Sequence, residues 1–556
     1  MRSEILKGID EEIERIFYPF IQIRSDTFSR HEKKIEEFLT NFFANIDYFK
    51  RYPEHFGTYK IENDPINRSV CWALVRGEGE ETVVLIHHND VVDIEDFKTL
   101  KPYAYSPKEL ERELVKLKKD LLSEARKDLE SGEYIFGRGT ADMKSGGAIQ
   151  LALIKRYSEI EDFKGNVLLV SVPDEENLSA GMRSAILLLE ELKKKYRLRY
   201  LMMINSEPHQ RVHKDIGIIS EGSVGKIMPL VYVRGSLAHI GKVFEGFNPL
   251  SLLTEIVRRT ELNIEFSDFV EGEGSPPPTW LYIKDRKYHY DVSMPLGIGG
   301  CFSVLTLDSS PAVLLEKLKN ISEEAFSDII ERMNDTYRSF RERVKRPFEV
   351  LPWKVNVITF EELYNEAYEN YGESFKRCYD KTFEEISKKI EAEELSIVES
   401  NFLLIEMIFD YINDLSPRVV IALVPPYYPN VSNIYFEELD QRAKGISVKL
   451  IDYARKNFSQ SYAREYFYTG ISDLSYSSVK NSKEIVKSLE GNMPLYGPLY
   501  SIPLEKIEEL SMPCINIGPW GKDFHKLTER VLKEDLFHIT PRLLDYAITT
   551  LLGCND

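Results

Sequence analysis

Several ionisable side chains of this sequence stand where apolar runs stop. His88 and Asp90 lie in HHND at the end of TVVLIHH (82–88), and Asp142 lies between glycines in GRGTADMKSG (137–146). Glu175 and Glu176 follow NVLLVSVP (166–173), Glu207 closes RYLMMINSEP (199–208), and His525 sits in the loop after CINIGPW (514–520). Histidines and carboxylates without a thiolate suit a borderline-hard divalent ion, zinc first and manganese or cobalt next. Two ions fit the set better than one: His88 and Glu207 around the first, Glu176 and His525 around the second, with Asp142 bridging through its two oxygens. Ions about 3.5–4 Å apart hold a water between them and lower its pKa toward about 7. Glu175 exceeds the ligand count and neighbours a ligand, which is the place for a general base and proton shuttle. Asp90 can accept the other ring N–H of His88 and fix its tautomer. An acid triplet ahead of a helix ordinarily does no more than cap it; histidines at other strand ends tip the reading toward chemistry.

Such residues can meet only if the runs before them are neighbouring strands. The three runs above are short and apolar, while GGAIQLALIKRYSEI (146–160) and AGMRSAILLLEELKKKY (180–196) have helical periodicity and good helix formers. This alternation predicts an α/β fold, a largely parallel sheet with helices on both faces, in which ligands bind at the carboxyl ends of the strands. Past residue 225 the pattern changes to strand, helix, strand, strand: KIMPLVYVRGSLAHIG (226–241), NPLSLLTEIVRRTEL (248–262), CFSVLTLDSSP (301–311) and RVVIALVPPYYP (418–429). The expected organisation is a metal-binding catalytic domain over 1–225 and 426–556, with a smaller α+β lid domain inserted over 226–425. Residues 106–131 read as one charged helix and 312–400 as mostly helical additions; neither carries a chemical role. Near the end, 444–458 reads as a helix, and another helix should begin just after His525.

The 556 residues are 43% hydrophobic and 29% charged, ordinary for a globular chain too long for one core. A net charge of −18 disfavours nucleic acid and membrane surfaces as partners; acidity itself does not identify a substrate, and a small-molecule or short-peptide substrate is the expectation. No apolar run reaches the roughly 20 residues of a membrane span. The acidic, helical N-terminus is unlike a secretory signal, so a cytoplasmic location is expected. The five cysteines are scattered and lack CxxC spacing, against both a disulfide framework and a thiolate zinc site.

The elements HxD, GRGTxDMKxG, DEE, EP and a C-terminal histidine, in this order, resemble the dizinc peptidase and deacylase family. That family includes carboxypeptidase G, aminoacylase, acetylornithine deacetylase and succinyl-diaminopimelate desuccinylase. SPPPTW (275–280), VPPYYP (424–429) and GISDLSY (470–476) are similar, more specifically, to its arginine-utilisation RocB branch. The resemblance implies a zinc-exopeptidase-like fold with a lid and two divalent ions. His88, Asp142 and Glu207 match the ligands of one ion, and Asp142, Glu176 and His525 those of the other. Glu175 matches the catalytic base and Asp90 the residue orienting the first histidine. GSLAHIG (235–241) matches the lid motif whose histidine, here His239, stabilises the oxyanion, often across a homodimer formed through the lid. His239 and Asn248 are the substrate-binding candidates.

The chain departs from the family in two places. His87 replaces the usual glycine before the first histidine, either to add a polar group near the ions or to face away. Ser309 and Ser310 stand where carboxylate-recognising relatives carry a lid arginine, for which Arg418 is a candidate substitute. The expected activity is metal-dependent hydrolysis of a peptide or N-acyl amide. Two alternatives stay open: a non-catalytic metal- and ligand-binding protein, and a hydrolase of a ureido or amidino bond linked to arginine metabolism.

Overall fold

The apolar runs that end beside His88, Asp174 and Glu207 are adjacent parallel strands. In the computed structural model, which describes residues 5–211, 213, 215–287, 289 and 291–554, they belong to an eight-stranded sheet. Its strands are β1 (Phe56–Lys60), β2 (Ser69–Arg76), β3 (Glu78–His88), β4 (Lys164–Val172), β5 (Arg199–Asn205), β6 (Ile216–Ser220), β7 (Ser461–Glu465) and β8 (Cys514–Asn516), in the order β1-β2-β4-β3-β5-β8-β6-β7. The central strands β4, β3, β5 and β8 are parallel. Register levels their ends: His88 pairs with Val172, Ile86 with Asn205, and Asn205 with Asn516. The residues just past these ends therefore lie on one edge of the sheet.

Parallel pairing does not run through the whole sheet. β1 and β2 are antiparallel to their neighbours, as is β6 to β8. Polar or mixed segments such as FGTYK and SYARE carry no apolar run, which hides them in the sequence although they pair well. Helices cover both faces. Alternate strand residues such as Val83, Leu85, Val167 and Leu169 share a core with α1 (Ile9–Gln22), α2 (Lys144–Ser158) and α4 (Thr540–Leu551). On the opposite face α3 (Ala180–Tyr196) packs on β1, β2 and β4.

The chain divides into two compact units. One holds the residues up to Val224, Pro429–Lys480 and those from Pro503 on; the other holds Gly225–Tyr428 and Asn481–Ile502. The second unit has its own sheet, Thr279–Asp285, Gly297–Thr306, Pro229–Arg234, Arg418–Leu423 and Val357–Thr359 in spatial order, with Gly225–Ile227 paired to Gly297–Thr306. Leu230, Tyr232, Val420 and Ala422 bury one face of it against Phe402 and Phe375, from the helices Ile397–Phe409 and Phe360–Glu391.

Three expectations need correction. Asn481–Ile502, assigned to the catalytic domain, belongs to the second unit, because Leu495 packs with Ile386 and Leu404 and the Tyr427 N–H donates to Tyr500 Oη. The charged stretch 106–131 is two helices, Pro107–Lys116 and Ser123–Ser131, broken by a turn over 117–122 that packs little apolar surface. No helix starts at His525, which lies in the loop joining the short strands Gly521–Lys522 and Arg530–Leu532; the next α-helix is α4. Among the described residues no helix is long and apolar enough to cross a membrane.

Candidate metal centre

His88 ends β3 fully buried, and its ring has little freedom. Nδ1 is 3.0 Å from the Asp90 carbonyl oxygen and 3.6 Å from Asp90 Oδ1. A carbonyl only accepts, so Nδ1 carries the proton and Nε2 presents a lone pair. That lone pair faces two carboxylate oxygens, Asp142 Oδ1 at 3.1 Å and Glu207 Oε1 at 3.3 Å. On the other side of Asp142, His525 Nε2 faces Asp142 Oδ2 and Glu176 Oε1, both at 3.2 Å. Lone pairs converging on lone pairs demand positive charge. Without an ion the histidines must supply it: burial opposes protonation of His88, yet Glu207 and Asp142 hold its pKa well above the ordinary value. Hydrogen bonds to Asp142 and Glu176 push His525 up to about 11. A divalent ion meets the same demand with neutral imidazoles.

The ligand-type atoms of His88, Asp142 and Glu207 lie within 4.8 Å of one another, and so do those of Asp142, Glu176 and His525. The two groups share Asp142, one oxygen facing each histidine. This donor set fits a pair of borderline divalent ions. Glu175 forms a third such group with His88 and Glu176. Burial raises the Glu175 pKa well above the usual carboxylate range, and the charges of Glu176, Asp473 and Glu207 add to the rise against the pull of His88. Burial likewise lifts Glu207 to about 8.

The acid triplet before α3 divides its labour. Asp174, at φ 71°, turns back so that its Oδ2 accepts the Ala180 N–H at 3.0 Å, as a helix cap does. Glu175 and Glu176 point to the site instead. Their backbone N–H groups donate to the two oxygens of Asp90, at 3.1 and 3.2 Å. Asp90 thus fixes His88 mainly through its carbonyl and spends its carboxylate on the loop that carries both glutamates.

Several supporting residues were not singled out from the sequence. Arg68, immediately before β2, donates to Asp174 at 2.6 Å, to Glu32 at 3.0 Å and to Asp64 at 2.7 Å, all of them buried. Glu529 accepts the backbone N–H groups of Ala141 and Asp142 at 3.2 Å and pairs with Arg138 at 2.7 Å, which sets the turn bearing Asp142. The Asp142–Met143 peptide is cis. Lys144 is wholly buried and donates to the Phe20 and Ile23 carbonyls, tying that turn to α1. Except for Asp64 and Glu32, which precede Arg68 by 4 and 36 residues, these partners are 106 to 391 residues apart, and nothing local in the sequence pairs them.

His87 faces away. Strand alternation turns it from His88, its Nδ1 meets Gln150 Oε1 at 2.9 Å, and burial pushes its pKa down to about 4, keeping it neutral. His239 and Asn248 belong to the second unit. His239 is exposed and its Nδ1 accepts the Gly241 N–H at 3.1 Å; Asn248 Oδ1 caps the helix Pro249–Thr260 through the Leu250 N–H, so that oxygen is already engaged. The serines are also taken: Ser309 bonds Asp268 through both its hydroxyl and its N–H, and Ser310 caps Pro311–Arg343. Arg418 does not offer a free cation in their place, because Glu366 and Asp414 pair with it at 2.6 and 3.2 Å.

Comparison with known proteins gives a consistent picture. The family model described as "Peptidase family M20/M25/M40" matches residues 116–536. The chain is 32% identical over 556 residues to the uncharacterized protein YqjN of Bacillus subtilis (strain 168), covering 98% of this chain and 96% of that one. It is 30% identical over 547 residues to Protein RocB of the same organism, covering 98% and 95%. Among solved structures it is similar to human carnosine dipeptidase 1, with a TM-score of 0.53 and 11% identity over 99% of this chain and 98% of that one.

Proposed function

The chain belongs to peptidase family M20/M25/M40, and from that membership we propose that it is a zinc-dependent hydrolase of an amide bond in a peptide or N-acyl amino acid. The observation that carries the proposal is the pair of triads sharing Asp142: His88–Asp142–Glu207 and Asp142–Glu176–His525. Two divalent ions held there would supply the Lewis acidity that polarises the scissile carbonyl and acidifies a water.

The protein supplies the rest. Glu175 lies beside both groups and is buried enough to take a proton readily; it removes one from the attacking water and returns it to the leaving amine. Asp90 holds the Glu175–Glu176 backbone, so base and ligand move as one body. Arg68, through Asp174, fixes the same loop from its other end. His239 in the second unit is proposed to hydrogen-bond the developing oxyanion, and a homodimer through that unit is part of the same reading.

The experiment is Glu175→Gln, assayed against dipeptides and N-acyl amino acids. Turnover should fall by at least about 100-fold, the lower end for a general acid–base group, while metal content stays that of the wild type. Unchanged turnover would remove Glu175 from the mechanism.

A further inference from the structure

The site described so far leaves GISDLSY (470–476) without a role. It forms a short 3-10 turn, Asp473–Tyr476. The turn packs against β3 and β5, which lead to His88 and Glu207, against β8, and against α3, which follows Glu176. The two serines of the motif are bonded: Ser472 Oγ accepts the Leu474 N–H at 3.3 Å, and Ser475 Oγ donates to the Val224 carbonyl at 3.3 Å.

Asp473 is the exception. Its side chain is wholly buried, and neither carboxylate oxygen has a hydrogen-bond partner among the described residues. No lysine or arginine pairs with it there. A buried carboxylate without donors or counter-charge is among the costliest groups a fold can retain. The other buried acids near the site are answered: Asp174 by Arg68, Glu529 by Arg138, and Asp90 by two backbone N–H groups. Asp473 belongs to neither shared triad, yet its charge weighs on Glu175 and Glu207 and it feels His88, Asp90 and Glu176 in turn.

We propose that Asp473 is a positioning residue of the metal centre, a carboxylate held behind the ligands whose charge is balanced by the bound divalent ions and whose field tightens their binding. The inference rests on the proposed function above. It gives an otherwise unexplained buried acid a partner, since fixed charges act strongly across a dry interior and bound cations are the largest local charges in such a site. It also predicts opposite signs in two measurements. Removing the charge relieves the metal-free protein of an unpaired buried carboxylate, but weakens its hold on the ions.

The test uses full-length Asp473→Asn and, should that variant not fold, Asp473→Ser. Zn²⁺ and Co²⁺ affinities are measured by competition with a chromophoric chelator, and melting temperature is measured in excess chelator. Expected are a metal-free melting temperature at or above that of the wild type and an affinity reduced about 10- to 100-fold, as when an outer partner of a metal site is lost. The Co²⁺ absorption bands should keep their shape, because every ligand remains. Wild-type affinity in a folded variant overturns the proposal, and so does a lowered metal-free melting temperature, which would make Asp473 a structural residue. A wild-type protein that binds no ions would instead remove the function on which the proposal rests.

Discussion

Gly518, two residues past β8, crosses directly behind Glu207. A Cβ there would lie 1.9 Å from the Glu207 carbonyl oxygen and 2.5 Å from its carbonyl carbon. Gly518 is not among the left-handed residues, so Gly518→Ala tests space alone. Ordinary contact begins near 3.4 Å, so the two backbones must part by about 1.5 Å. Bonds on either side resist this, among them Ile517 N–H to the Asn205 carbonyl at 2.9 Å and Asn516 Nδ2 to the Glu207 carbonyl at 2.9 Å. Metal–ligand distances tolerate only about 0.2 Å, so a Glu207 displaced this far no longer completes its triad. The strain costs about 1–3 kcal/mol, typical of overpacking, and leaves the protein folded. Metal content and competition titration of the purified variant should show two ions falling to one or fewer. Turnover should fall about 100-fold or more, as expected for a 1 Å misplacement. Two tightly bound ions and full activity in Gly518→Ala would refute the reasoning that this close approach sets Glu207.

Further outcomes follow from the same structure. Arg68→Met leaves Glu32, Asp64 and Asp174 facing one another in the interior, so stability by urea unfolding should drop about 3–5 kcal/mol, as for other broken buried pairs; occupancy of the ion at Glu176 should drop with it, and an unaltered unfolding curve would count against the network. In the second unit, burial alone would raise Glu399, but bonds from Tyr282, Lys284 and Arg286 overrule it and hold it at about 2, below the ordinary 4.5. The unfolded chain then binds the extra proton between these values, so the stabilisation is complete above pH about 4.5 and is lost as pH falls toward 2. After allowance for partial exposure it amounts to about 1–2 kcal/mol. The stability gap between wild type and Glu399→Gln should therefore be full at pH 7 and close by pH 2; a gap independent of pH would contradict the assignment.

The parts of the site that could be read from the sequence are those whose signal is local. An ionisable residue at the end of an apolar run marks a strand end, and parallel strands in register bring such ends together; His88, the PDEE loop and Glu207 were visible for that reason. The mixed edge strands β1 and β7 were not, because their partners rather than their composition make them strands. Distance along the chain hid the supports as well. Nothing near Glu529 in KLTERV indicates that it holds Asp142, and nothing near Arg68 in INRSV indicates that it braces Asp174. GISDLSY was conspicuous as a motif, but an unpartnered carboxylate can be recognised only after the neighbours are placed. Ser309 and Ser310 stood out only by resemblance, at the place where carboxylate-recognising relatives carry an arginine, and Asp268 and a helix N-terminus engage them.

Asp142 joins the two triads, since each of its oxygens faces a different histidine. The most direct measurement is anomalous diffraction at the zinc edge from crystals of the zinc-loaded protein. Two peaks are expected about 3.5–4 Å apart, one beside His88 and Glu207, the other beside Glu176 and His525, with Asp142 between them, and both lost in Asp142→Asn. A single peak, or ions bound away from Asp142, would contradict this arrangement.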